Sequence, residues 1–388
     1  MRMLHTSDWH LGRSLHGVDL LDHQAAYLDH LVDVVRSESV GVVVVAGDVY
    51  DRAIPPVEAV TLLSDALARL TEHATVVVTS GNHDSATRLG FGSALMRERV
   101  RLRTRVAELA EPVVLADDEG DVLVYGVPYL DPDFARASLA DDGEPPLARS
   151  HEAVTAAAMR RIRADVGRRP GGSRSVVAAH AFVVGGLPSE SERDIRVGGV
   201  DHVPAGVFDG VDYVALGHLH GPQRVGGADG TVLRYSGSPL AYSFSEQHHA
   251  KSMVLVDLAG TGAVRTELVA APVPRRLADV TGTLDDLLGS SGEAHLEDWV
   301  RVTVTDTHRP QDLVRRVRHR FPHALVVQHR AADGGPRPSR ATEVTGAHDP
   351  VDVAADFVHH VTGVAPADDE LAVLRRAYEQ VADVERSA

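Results

Sequence analysis

The 388-residue chain carries 39 lysines and arginines against 55 aspartates and glutamates, a formal net charge of −16. That balance excludes a protein that coats nucleic acid by charge alone, though not a local basic track or a bound cation. It has no cysteine, which rules out disulfides, thiolate metal sites and cysteine nucleophiles, and it contains no apolar run of the ~18 residues a membrane span needs.

The first residues lack the apolar core of a signal peptide, so a cytoplasmic chain is expected. An extended segment over residues 2–6 leads into Ser7-Asp8-Trp9-His10-Leu11-Gly12. Asp8 and His10 stand two apart, so in extended backbone their side chains point the same way, as two ligands of one ion would. The alternative is a turn aspartate beside an unrelated histidine. Asp22 is expected to cap a helix reaching about residue 36, with Ala25, Leu28, Val32 and Val35 on one face. The run Val42-Val43-Val44-Val45-Ala46 is a strand apolar on both faces, hence central in a covered sheet. It ends in Gly47-Asp48-Val49-Tyr50-Asp51, where the glycine permits a sharp turn and Asp48 projects from the sheet edge. A second helix runs from Pro55 or Pro56 to Leu70, and a strand over 75–79 ends in Ser80-Gly81-Asn82-His83-Asp84. This last run is either a capped polar turn or a set of ligand and proton-transfer groups. The alternation of strands and helices predicts right-handed crossovers, with polar groups gathered at the C-terminal edge of the sheet.

Farther on, a strand over 122–128, a loop over 141–146 and a helix over 152–166 precede a strand over 175–179 that ends in His180. Another strand, 211–216, ends in Gly217-His218-Leu219-His220-Gly221 and repeats the spacing of Asp8 and His10. Short strands alternate with turns from 231 to about 269. After Pro272-Val273-Pro274, strands over 299–305 and 324–328 flank a helix over 310–319. Residues 331–339 have linker composition. Two helices follow. The first has Asp349 as N-cap, Pro350 at its start, Val351, Ala354, Val358 and Val361 on one face, and Gly363 as its stop. The second opens with Asp368-Asp369-Glu370 and presents Leu371, Leu374, Tyr378 and Val381 as a stripe suited to a partner helix. The bounds expected are 1–272 for the main domain, 273–332 for a small α/β domain, 333–348 for a linker and 349–388 for the helical segment. The alternating Arg97, Arg99, Arg101, Arg103 and Arg105 are either a phosphate-tracking patch or a solvated surface strand. His23, His30, His73, His248, His249, His359 and His360 have no carboxylate pattern around them and are expected to be ordinary surface or satisfied residues.

The candidate ligands are therefore Asp8, His10, Asp48, Asn82, His180, His218 and His220, with His83 beside them. Oxygen and imidazole donors suit Mn²⁺, Fe²⁺ or Zn²⁺ better than a soft metal. Their number exceeds what one ion accepts. Two ions ~3.5–4 Å apart that share a bridging carboxylate would use them all, clamping an in-line phosphoryl displacement.

The order Asp-x-His, Gly-Asp-x-x-Asp, Gly-Asn-His-Asp, His, Gly-His-x-His resembles that of the calcineurin-like metallophosphoesterases. More narrowly, the chain is similar to the SbcD family of bacterial nuclease subunits. That likeness runs through His5 to Gly12, Gly47 to Asp51, Gly81 to Asp84, Ser191-Glu192-Arg193 with Val197-Gly198-Gly199, Asp212 to His220, and Arg234 to Pro239. The resemblance implies an α/β fold: a sandwich of two mixed β-sheets flanked by helices, followed by a small α/β cap domain and C-terminal helices. It implies that Asp8, His10, Asp48 and His220 hold one metal, and that Asp48, Asn82, His180 and His218 hold the other. His83 would be the catalytic, non-ligand histidine, with Asp84 fixing its orientation. The cofactors implied are two divalent ions, with Mn²⁺ ahead of Mg²⁺, Fe²⁺ or Zn²⁺. The partners implied are DNA and SbcC, an ATPase with a long coiled coil, engaged by a homodimer within a heterotetramer in the cytoplasm and on the nucleoid. Asp51 stands where some relatives carry a histidine, which leaves its role open. The expected function is a metal-dependent DNA nuclease acting at double-strand ends and hairpins in repair and recombination. A small-molecule or cyclic-nucleotide phosphodiesterase on the same metals is one alternative. A non-catalytic scaffold of the same fold is another, and it should have lost ligands where this chain has lost none. The C-terminal helices would grip the base of the SbcC coiled coil, or else pack on the chain's own cap.

Overall fold

Runs of β-branched residues build the centre of the molecule, because valine side chains pack well on a pleated surface that is buried on both faces. The computed structural model describes residues 1–96, 98–169, 171–193, 202–226, 230–331, 350–362 and 366–386. Strand β1 (Arg2–Thr6) pairs in parallel with β2 (Val42–Ala46), β2 with β3 (Thr75–Thr79), and β3 with β4 (Val100–Arg103). The chain then lays down β5 (Val113–Asp117), β6 (Gly120–Val127), β7 (Arg174–His180), β8 (Tyr213–Gly217), β9 (Gln223–Val225) and β10 (Val232–Tyr235) as a second sheet. It returns to the first sheet with β11 (Ser252–Leu258), antiparallel to β1, and β12 (Val264–Ala270). The two six-stranded sheets have the orders β12-β11-β1-β2-β3-β4 and β9-β10-β8-β7-β6-β5.

Period-two alternation decides which side chain goes where. Met3, Val42, Val44 and Val77 of the first sheet meet Val124, Val176, Ala178, Tyr213 and Ala215 of the second. Val43, Val45 and Val76 face the other way, onto α1 (Leu21–Ser37) and α2 (Val57–Leu70). On the far side, Tyr125, Val177 and Val214 pack against α3 (His151–Val166) through Val154, Ala158 and Ile162. The result is four layers, helix on sheet on sheet on helix, the sandwich that the sequence leads one to expect. Val42 to Val45 have no exposed surface, and full burial of such a side chain is worth ~1.5–3 kcal/mol.

A third, all-parallel sheet contains β13 (Leu277–Gly282), β14 (Trp299–Val304) and β15 (Ala324–His329). Its own core joins Val300, Val302 and Val304 to Leu313, Val317 and Phe321, the first two of which come from α4 (Leu313–Arg320). Leu277 and Trp299 join Leu15, Leu20, Tyr242 and Phe244 in a separate cluster, which ties this module to the sandwich. Residues 1–332 accordingly form one compact unit and 333–388 another. In the second unit α5 (Pro350–Thr362) lies against α6 (Asp368–Arg386). No helix among the described residues is long and apolar enough to cross a membrane.

Some local expectations change. Asp22 does not cap α1: the helix starts at Leu21, whose N–H is accepted by Asp19 Oδ1 at 2.9 Å, and Asp22 sits in the first turn, where its charge favours the positive helix end. Strand β13 is an element the sequence pattern does not announce, and β8 begins two residues later than expected. Arg97, Val197-Gly198-Gly199, the expected linker 333–348, Asp349 and Gly363 lie outside the described residues, as do the side chains of Val361 and Val381.

Candidate metal centre

The C-terminal ends of β1, β2 and β3 in one sheet and of β7 and β8 in the other converge on one buried point. Close backbone approach makes this possible: a Cβ on Gly217 would lie 1.8 Å from the Ala46 carbonyl oxygen, and one on Gly81 would lie 2.0 Å from Asp48 Oδ1. Directly after these strands the chain turns in ways that side-chain-bearing residues rarely adopt. Asp8, His10, Asp48 and His218 have φ of 54°, 45°, 49° and 108°. Each such residue costs on the order of 1–3 kcal/mol and persists only where the surroundings over-determine it. Here Asp8 N–H donates to Gly47 O at 3.1 Å, His10 N–H to Asp48 O at 3.0 Å, and His218 N–H to Asp8 Oδ1 at 3.0 Å.

All seven expected ligands meet. His10 Nε2 and His220 Nε2 face each other at 3.1 Å, and an oxygen of Asp8 lies within 4.8 Å of donor atoms of both. On the other flank His180 Nε2 is 2.9 Å from Asn82 Oδ1 and 3.4 Å from Asp48 Oδ2, while His218 Nδ1 is 3.3 Å from the same Asn82 oxygen. Asp48 stands between the flanks, 3.7 Å from His10 Nε2. Asp8, His10, Asp48, His180, His218 and His220 are buried, and Asn82 is half-buried. His180 donates Nδ1–H to the Ala46 carbonyl at 3.0 Å, which aims its Nε2 into the cluster. His10 Nδ1 and Asn82 Nδ2 are buried without a hydrogen-bond partner among the described residues. A buried set of carboxylate, amide and imidazole donors around one shared carboxylate fits divalent cations of the Mn²⁺, Fe²⁺ or Zn²⁺ kind.

Burial penalises charge throughout, and the partners decide which groups escape it. Burial raises Asp8 to about 6, opposed by the neighbouring His180 and His220. Asp48, despite burial, is held well below the usual carboxylate range by His180, and Asp48 in turn lifts His180 to about 9 against its own burial. His10 and His218 are pushed well below the imidazole range, chiefly by burial.

His83 sits at the rim. Its Nδ1 donates to the Asp51 carbonyl at 2.8 Å, its N–H donates to Asp48 Oδ1 at 2.9 Å, and Nε2 faces Asp48 Oδ2 at 3.9 Å. Asp84 therefore does not orient His83, contrary to expectation. Its carboxylate accepts from Val49 N (3.1 Å), Tyr50 N (2.9 Å) and Gly81 N (2.9 Å), because a short acid beside two turns finds free backbone N–H groups nearer than the ring. It pins the Asp48 turn to the Asn82 turn.

Several residues at the site carried no role in the sequence. Ser191 Oγ is 2.8 Å from His220 Nδ1, Glu192 Oε1 accepts from His220 N at 2.8 Å, and Arg193 donates to Asn82 O at 3.0 Å. Gln24 reaches from α1 to accept from Gly12 N at 3.0 Å and donate to His10 O at 2.8 Å. An amide among the apolar residues of a buried helix face was the available signal. The arginine run is largely engaged already. Arg99 donates to Thr71 O at 2.9 Å and Glu72 O at 3.2 Å, while Arg103 and Arg105 face Glu108 at 3.8 and 3.4 Å.

Residues 1–222 match the family model described as calcineurin-like phosphoesterase. The chain belongs to that family. Residues 273–381 match a second model, the Type 5 capsule protein repressor C-terminal domain. Among curated proteins the chain is 38% identical over 272 residues to the SbcCD nuclease subunit SbcD of Bacillus subtilis (strain 168). That alignment spans 66% of this chain and 66% of the relative, just under two thirds of its length. Two more distant solved structures are similar over most of their length. TT1561 of Thermus thermophilus has a TM-score of 0.37 and 15% identity over 69% of this chain and 98% of that one. GAP50, the anchor in the inner membrane complex of Plasmodium, has a TM-score of 0.39 and 10% identity over 70% of this chain and 85% of that one.

Proposed function

We propose that this chain is a metal-dependent DNA nuclease that hydrolyses phosphodiesters at double-strand ends and hairpins, as the nuclease subunit of an SbcCD-type complex. The observation that carries the reading is the convergence of Asp8, His10, Asp48, Asn82, His180, His218 and His220 from five strand ends onto one buried point. The 38% identity to a nuclease subunit supports the choice of substrate. Asp8, His10, Asp48 and His220 would hold one cation and Asp48, Asn82, His180 and His218 the other, with Mn²⁺ as the ion. When bound, the cations supply Lewis acidity toward water and the phosphate oxygens.

The chain's own groups do the rest. His83 stands at the rim with Nδ1–H fixed on the Asp51 carbonyl, so the proton it can exchange is on Nε2, the nitrogen that faces the site. It is therefore placed to hydrogen-bond the phosphate and to hand a proton to the leaving oxygen. Arg193, exposed beside Asn82, puts a positive charge at the mouth of an otherwise acidic protein. The strained turns keep the ligands from relaxing away from the productive arrangement.

The decisive assay is cleavage of hairpin and linear DNA by the purified protein with Mn²⁺ or Mg²⁺, with and without the ATPase subunit and ATP. Metal-dependent cleavage is expected. Turnover of a simple phosphodiester with none of DNA, even with the ATPase present, would move the reading to a small-molecule phosphodiesterase.

The same proposal includes the partner contacts. Half-buried Leu371 and Leu374 and exposed Tyr378 on α6, with exposed Phe357 on α5, are apolar residues suited to the base of a coiled coil. The reading also includes a homodimer within a heterotetramer with the ATPase subunit. Truncation after Ala347 is expected to abolish co-purification with the ATPase subunit while metal-dependent cleavage of simple DNA persists. Undiminished ATPase binding by the truncated protein would overturn the helix assignment.

A further inference from the structure

Behind His220 lies a buried ion pair to which the phosphoesterase reading gives no task. The Glu246 carboxylate, with no exposed surface, and the Lys251 ammonium, 2% exposed, are directly bonded. Glu246 closes a short helical turn over Phe244–Glu246, and Lys251 stands immediately before β11. Desolvating two charges costs several kcal/mol per ion, so such a pair is weak as a source of stability and needs another account.

Its contacts point at one neighbour. Glu246 Oε1 accepts from the Ser191 hydroxyl and from Tyr242 N at 3.1 Å, and lies 3.3 Å from His220 Nδ1. Lys251 Nζ donates to the His220 carbonyl at 3.0 Å and to Ser238 Oγ at 2.9 Å. With Glu192 on the His220 N–H and Ser191 Oγ 2.8 Å from its Nδ1, both backbone groups and one ring nitrogen of His220 are held. Ser191 has one proton to give, and the ionised Glu246 outcompetes the Ser189 hydroxyl, 2.9 Å away, for it. Ser191 Oγ must then accept from His220 Nδ1–H. The relay His220 Nδ1–H to Ser191 to Glu246 thus leaves the lone pair on Nε2, the nitrogen that faces His10 and Asp8. Lys251 balances the carboxylate, so the relay orients the ring without adding net negative charge to the centre.

We propose that Glu246 and Ser191, balanced by Lys251, are positioning residues that hold His220 in its ligating tautomer and so set the affinity of one cation site and not of the other. The other site shares Asp48 but not this relay, because the His180 ring is fixed by a backbone carbonyl, Ala46 O. The proposal rests on the two-cation reading above.

The test uses the full chain, Mn²⁺ titrated by calorimetry, and electron paramagnetic resonance to report whether bound ions are spin-coupled. Ser191→Ala removes no charge and leaves the Glu246–Lys251 pair intact. Glu246→Gln breaks the relay at its far end. Both are expected to weaken one of two Mn²⁺ sites by about 10–100-fold, the range found when an outer partner of a ligating histidine is removed, and to leave the second affinity unchanged. At limiting Mn²⁺ the coupled-pair spectrum should give way to that of an isolated ion. A Ser191→Ala protein that melts like the parent and binds both ions with the parent's affinities would overturn the proposal. So would a Glu246→Gln protein altered only in melting temperature, since the pair would then be structural. A parent protein that binds fewer than two ions would instead remove the two-cation reading itself.

Discussion

His83→Ala and His83→Gln proteins should bind two cations and most DNA normally while losing about 10²–10⁴-fold in turnover, the usual worth of a positioned general acid or base. The expectation follows from where the ring sits. Its Nδ1 is occupied by the Asp51 carbonyl, and its Nε2 is aimed at the site from the rim. The geometry also brings His83 within 4.8 Å of His10 and Asp48 donor atoms, so ligation is the competing role. Measuring bound metal by mass spectrometry alongside kcat on a hairpin substrate separates the two. A variant that loses a cation together with its activity makes His83 a ligand.

Asp48→Ala is expected to have the larger effect, because one carboxylate serves both flanks. The substitution should remove at least one of two Mn²⁺ ions and reduce DNA cleavage to the level of the metal-free protein. Alanine brings a second problem, since φ at this position is 49°, a region that side-chain-bearing residues other than Asn, Asp and His largely avoid. Asp48→Asn tolerates the backbone and can still accept from the His83 N–H, but it lacks the bridging charge. Both variants should therefore lose metal, and only the alanine should lose additional stability in urea unfolding. Two ions retained by Asp48→Asn, or ions bound elsewhere in a Mn²⁺-soaked crystal, would refute the bridging role.

What could be read from the residues alone follows from how local the signal is. Val42 to Ala46 announces a doubly covered strand without help from any other segment, and the polar residues that follow it announce an edge. Asp8-x-His10 and His218-x-His220 point to the right donors for a different reason than their spacing suggests: Asp8, His10 and His218 lie past the strand ends with positive φ, so tight turns and not extended backbone aim them. Where pairing partners are distant, the signal fades. Glu246 and Lys251 stand among Ser, Gln and His residues that read as a surface turn, yet both are buried, bonded to residues as distant in sequence as Ser191 and His220. Asp84 lies next to His83 in sequence but faces Val49 and Tyr50, because the turn after β3 folds back over the turn after β2. Strand β13 went unseen because Leu277, Ala278 and Val280 are interrupted by Asp279 and end at glycine, a weak pattern that parallel pairing with β14 makes sufficient.

The facing nitrogens of His10 and His220 belong to residues 210 positions apart. Contacts so remote in sequence close late, after much of the loop entropy between them has been given up. Between those histidines the chain must complete two helices on one sheet, cross to the other and pair β7 with β8. A nascent chain that has emerged only as far as β7 holds both acidic donors, Asp8 and Asp48, yet has neither His218 nor His220, so neither of the two proposed cation sites would be complete. On the two-cation reading, hydrolytic competence would therefore arrive at one late moment in synthesis, and a product that ends before β8 would be unable to cut.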